Sequence, residues 1–132
     1  MDPAPPDLTV MGATAEDSAT LLRSVADRLD RLAAGSTAGD WRPAGLLATR
    51  PEVVAHRADG GTEHVAEARS ASAAWITALS PAVAAPLSAL LRSVADARPA
   101  ADPPVVSAAV ELANVLLSRM EGHSLGISSF DA

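Results

Sequence analysis

Three side chains, Trp41, Trp75 and Phe130, are the whole aromatic content of this chain, and that scarcity limits its fold more than any motif does. Large rings normally supply much of a core's buried area. Without them the interior must be built from leucine, valine and alanine. Alanine favours helix and buries little surface, so the packing has to come from closely apposed helices carrying Leu and Val stripes. The 132 residues fit one domain with one core and a modest stability reserve.

Helical spacing follows. Residues 1–13 form a Pro-rich flexible lead. Thr14 with Asp17 resembles a capping box, and Leu21, Leu22, Val25, Leu29 and Leu32 recur on one face until Gly35 stops the helix. A second helix begins at Ser70 and holds Trp75, Ile76 and Leu79. Ser80-Pro81 starts a third, with Val83, Leu87, Leu90, Leu91 and Val94, and Pro86 kinks it or shifts its start. Asp102 caps a fourth that opens at Pro103, carries Val105, Val106, Ala109, Ala113, Leu116, Leu117 and Met120, and ends at Gly122.

Between the first two helices, residues 41–68 lack helical periodicity. Val53 and Val54 precede Asp59-Gly60-Gly61, and Thr62 to Glu67 follow it, which predicts a β-hairpin with a third short strand near Leu46 to Thr49. Such a sheet needs a helix against one face. Trp41 and Trp75 are the expected anchors between sheet and helices. The expected fold is therefore α+β and mostly helical. It has about four helices, a two- or three-stranded hairpin or meander after the first, a single domain over 14–121 and a flexible tail over 122–132.

One heptad occurs twice: LLRSVAD spans Leu21–Asp27 and returns at Leu90–Asp96. Two readings stand side by side. The duplicated helices meet each other or a common partner, or a chain rich in Leu, Ala, Arg and Asp repeats itself by composition. No flanking recurrence supports a solenoid.

The formal net charge of −6, with ten scattered arginines, argues against phosphate-backbone binding. The absence of cysteine removes disulfides, thiolate catalysis and zinc–cysteine sites. MDPAPPDLTV has neither the basic nor the apolar region of a signal peptide. Ser70 to Leu91 is uncharged but interrupted by Pro81 and Pro86, and reads as a broken, buried helical region rather than a membrane span. These features predict a soluble cytoplasmic protein that binds neither nucleic acid nor membrane, and they leave a homo-oligomer open.

No catalytic constellation or cofactor motif emerges. Gly122-His123-Ser124-Leu125-Gly126 sets a serine beside a histidine without an oxyanion site. His56 and His64 flank the Asp-Gly-Gly turn as candidate metal ligands, with Glu52, Glu63 or Glu67 as candidate carboxylates. Whether the two histidines face each other depends on loop length, and solvated hairpin histidines are the preferred reading. The non-preferred enzyme would be a small metal-dependent or acid–base one using those residues. Glu111 and Asn114 share a face of the fourth helix, where Asn114 is either a buried hydrogen-bonding residue, a register-fixing group in an oligomer, or exposed.

The C-terminal tail carries the functional expectation. In an extended, glycine- and serine-rich segment, Leu125 and Ile127 point to one face and Phe130 adds a further anchor. Ser124-Leu125-Gly126-Ile127-Ser128-Ser129-Phe130 resembles the cargo-loading peptides that direct proteins into encapsulin nanocompartments, which typically read Gly-Ser-Leu-Gly-Ile-Gly-Ser-Leu. The resemblance implies that Leu125, Ile127 and Phe130 fill apolar sites on the inner shell wall. Ser124, Gly126, Ser128 and Ser129 would be small spacers. His123 intrudes, Ser128 replaces a glycine and Phe130 replaces a leucine. The body, from Gly39-Asp40-Trp41 through Ala73-Ala74-Trp75-Ile76 and Ser80-Pro81-Ala82-Val83 to Leu90-Leu91, resembles small proteins of actinobacteria and their phages. That second resemblance implies an α+β fold and no activity. The expected function is a non-enzymatic protein-binding or accessory protein, docked as encapsulin cargo through its tail. The alternative is a phage-like or regulatory protein acting through its helical surface.

Overall fold

A computed structural model describes the backbone of residues 8–45, 50–97 and 100–131, and the side chains of residues 15–45, 50–97 and 100–121. The chain is α+β. In order it runs α1 (Leu8–Gly35), β1 (Asp40–Ala44), β2 (Glu52–His56), β3 (Thr62–Glu67), α2 (Ser70–Ala78), a 3-10 turn (Pro81–Val83), α3 (Ala84–Asp96) and α4 (Pro103–Asp131). Within the span read as one domain it forms two compact units, one of residues 1–28 with 87–132 and one of residues 29–86.

The 29–86 unit is organised by a three-stranded antiparallel sheet in the order β1-β2-β3. β1 lies upstream of the position expected for a third strand; residues 46–49 are outside the described residues. An edge strand suits this segment, because Pro43 has no amide hydrogen to give to a second neighbour. Val53 and Ala55 of β2 are buried, whereas His56 at its end is exposed. Trp41 pairs with Ala55 and so shares its face. α2 packs against β1 and β2 and buries Ala73. β2 and β3 are joined by a tight loop in which Arg57 N–H donates to the Gly61 carbonyl (2.8 Å), Gly60 N–H to the Arg57 carbonyl (3.0 Å) and Gly61 N–H to Asp59 Oδ1 (2.8 Å). Gly60 adopts a positive φ of 87°, the conformation for which glycine is suited.

The other unit is helical. Leu22, Val25 and Ala26 of α1, Leu91, Val94 and Ala95 of α3, and Ala113 and Met120 of α4 are buried. Of the predicted α1 and α3 stripes, Leu22, Val25, Leu91 and Val94 are buried, whereas Leu32 and Leu90 depart from expectation, at 48% and 55% exposed. Pro86 falls in the first turn of α3, where its missing amide hydrogen removes no intrahelical bond. Ser80 is the N-cap of the 3-10 turn with Pro81 behind it, as expected, but its side chain makes no capping hydrogen bond. Val105 and Val106 N–H groups donate to the Asp102 carbonyl (3.0 and 3.1 Å), fixing the start of α4 where Asp102-Pro103 predicts it.

The end of α4 differs from expectation. The helix continues through Gly122 to Asp131. Glycine lowers helix stability by about 1 kcal/mol against alanine but does not forbid the conformation. No proline follows Pro104, so nothing between Gly122 and Asp131 removes a backbone donor.

Candidate functional site

The described residues that most resemble a binding site lie on α3 and α4. Leu90, Leu91 and Val94 of α3 face Val105, Ala109 and Leu112 of α4 across an open cleft of about 260 Å³ whose lining is almost wholly apolar. Leu90 is 55% and Val105 49% exposed, so two large aliphatic side chains of the cleft remain in contact with water. On α4 the lining follows i, i+4, i+7 spacing, the pattern by which one helix face meets another. Sequence reasoning places Val105 and Ala109 on this stripe but misses Leu112. That residue completes the same spacing and is half-buried. Leu90 and Leu91 are both expected on the α3 stripe; Leu91 is buried and Leu90 is not.

A second, shallower depression on α4 is bordered by Glu111, Asn114, Ser118 and Arg119. Asn114 is exposed, which overturns its reading as a buried hydrogen-bonding residue.

The candidate metal ligands do not converge. His56 is opposite Thr62, and His64 is opposite Val54, so the two histidines occupy different rungs. Five loop residues separate the strands, which sets this register. His64 Nδ1 lies 2.8 Å from Glu52 Oε2, both on the outer face of the sheet. Glu63 is 3.6 Å from Arg57 and Glu67 is 3.7 Å from Arg50. The carboxylates thus pair with separate side chains instead of sharing a centre. Among the described residues no group of three or more His, Asp or Glu is placed to hold a metal ion.

The two tryptophans have different surroundings. Trp41 is half-buried, and its Nε1–H donates to the Thr37 carbonyl at 2.9 Å, tying β1 to the loop after α1. Trp75 is 68% exposed and is not a core anchor. Ala73 is the buried residue of α2 in its place. The region read as broken and buried is indeed broken by the 3-10 turn, but it is mostly exposed. Ser70–Asp96 is long and apolar enough to cross a membrane by length and composition alone.

The tail residues Ser124, Leu125, Gly126, Ile127 and Phe130 have their backbone in the last turns of α4, and their side chains lie outside the described residues. Comparison with family models, with curated proteins and with solved structures finds no match to this chain.

Proposed function

We propose that this chain is a non-enzymatic accessory protein that binds another protein, and that its C-terminal segment docks it to the inner wall of an encapsulin-type shell. The observation that carries the reading is the anchor spacing: Leu125 and Ile127 at alternate positions and Phe130 after a Ser-Ser step, at the far end of a long helix. Docking in an extended form requires the last turns of α4 to unwind. Gly122 and Gly126 favour that, since each weakens the helix by about 1 kcal/mol relative to alanine. The peptide then meets the shell with both leading anchors on one side. Repeated sites on a shell multiply a single weak contact into stable retention.

Co-expression with an encapsulin shell protein tests this. The full chain is expected to co-purify with assembled shells, and a chain ending at Glu121 is expected to be absent from them. Leu125→Ser combined with Ile127→Ser should behave like the truncation. Equal retention of the full and shortened chains would remove the reading.

The exposed Leu90 and Val105 favour a second reading, in which the α3–α4 cleft receives an apolar helix face from a partner. Leu90→Gln would weaken that interaction and leave tail docking intact, so the two readings separate on one pair of variants.

A further inference from the structure

The two LLRSVAD copies pack against each other. Arg23, third in the first copy, pairs with Asp96, seventh in the second, at 2.9 Å. Arg92, third in the second copy, pairs with Asp27, seventh in the first, at 2.7 Å. As α1 advances from 23 to 27, its partner retreats from 96 to 92, so the heptads are antiparallel. Burial repeats as well: Leu22 and Leu91, Val25 and Val94, and Ala26 and Ala95 are all buried, while Ser24 and Ser93 are exposed. The arrangement has a local twofold axis between Val25 and Val94.

An interface of this kind is self-complementary. Antiparallel LLRSVAD meets LLRSVAD with the same Leu-Val-Ala seam and the same two Arg–Asp pairs, whichever chain supplies the copy. That is the defining property of an isologous interface, normally seen between identical subunits. Here it is satisfied within one chain, whose heptads stand 69 positions apart. We infer that LLRSVAD is a self-pairing heptad and that the partner it takes, beyond its own chain, is the heptad of a second copy of this protein. Two chains that each open the α1–α3 pair can close on each other and rebuild the whole seam between them. The exposed ion pairs set direction and register more than strength, since such pairs contribute about 0–1 kcal/mol; the seam supplies the association. This inference does not depend on the tail.

The chain lacks cysteine, so introduced thiols report without background. Val25→Cys and Val94→Cys place a thiol at the twofold centre, and Ser24→Cys places one beside it on the exposed side. After concentration and mild oxidation, pairing between copies is expected to link Val25→Cys of one copy to Val94→Cys of another in a mixture of the two variants. That linkage should exceed the linkage of Ser24→Cys, even though the valine positions are buried in the single chain. Seam thiols that link no better than the Ser24→Cys control would overturn the inference. Light scattering of the unaltered chain over a rising concentration series is the second measurement, and requires no variant to fold. A species of twice the 13.4 kDa chain mass is expected at high concentration. A single monomeric mass throughout would overturn the inference independently.

Discussion

Leu22 and Leu91 take the same step of the repeated heptad, and both are fully buried. Truncating a leucine in such a position removes its transfer energy and leaves a cavity that relaxes only in part. Leu22→Ala and Leu91→Ala should therefore each lower stability by about 2–5 kcal/mol, while the exposed Leu90→Ala should cost under about 1 kcal/mol. Urea denaturation of the three variants checks both the matched losses and the contrast. Ser88 interrupts the local symmetry: it is fully buried, and its Oγ–H donates to the Ala26 carbonyl at 3.1 Å. Its counterpart, two residues before the first copy, is Ala19, which has no hydroxyl. Ser88→Ala should cost about 1 kcal/mol, because the hydrogen bond to the Ala26 carbonyl is lost while that acceptor lies within α1. Adjacent Leu90 and Leu91 show where sequence reading at this scale stops. Periodicity places both on an apolar stripe, but only the geometry of the neighbouring helices decides which is enclosed.

Among the elements, the sheet depends on glycine at two places for different reasons. Gly60 has a φ of 87° with nothing near the position a Cβ would take. Gly39 has a φ of 116°, and an added Cβ would come within 2.7 Å of the His56 carbonyl oxygen. Gly60→Ala should thus cost about 1 kcal/mol from backbone strain alone. Gly39→Ala should cost more, since the clash is with main chain that cannot rotate away; thermal melts of the two variants check the order. The Asp-Gly turn is legible in the sequence because its chemistry is local, and so are the α1 stop at Gly35 and the α4 start at Asp102-Pro103. β1 is not, because Asp40–Ala44 is short, contains a proline and gains its strand geometry from pairing with β2. The end of α4 escapes for a related reason. Glycine weighs equally as a stop signal and as a tolerated helical residue, and the choice depends on propagation from a long preceding helix. Gly122→Ala should strengthen that propagation by about 1 kcal/mol, raising helical circular dichroism. The same change should reduce shell retention if docking requires the tail to extend. The apolar cleft is not readable from the sequence, since it needs two helices whose juxtaposition no single stripe specifies; for the repeat, helices that meet each other are one of the two readings the sequence offers, and the Arg23–Asp96 and Arg92–Asp27 pairs select it.

For the whole molecule, the distribution of buried side chains predicts unequal local stability. The unit of residues 1–28 and 87–132 buries several leucine and valine side chains, with Met120 besides. Among its described hydrophobic residues, the unit of residues 29–86 fully encloses only Val53, Ala55 and Ala73, two of which are alanine. Burial contributes roughly in proportion to apolar area, and local opening is easiest where that area is small. Amide hydrogens of β1 and β3, which are edge strands, should exchange well before those of the LLRSVAD segments in α1 and α3. Hydrogen exchange followed by mass spectrometry measures this by segment. Equal protection across both regions would mean that the two units open in a single step. Concentration adds a second dimension to the same measurement. A seam that closes between copies draws stability from mass action, so protection of residues 21–27 and 90–96 should rise with protein concentration. Protection of the sheet should rise less, because its pairing is complete within one chain.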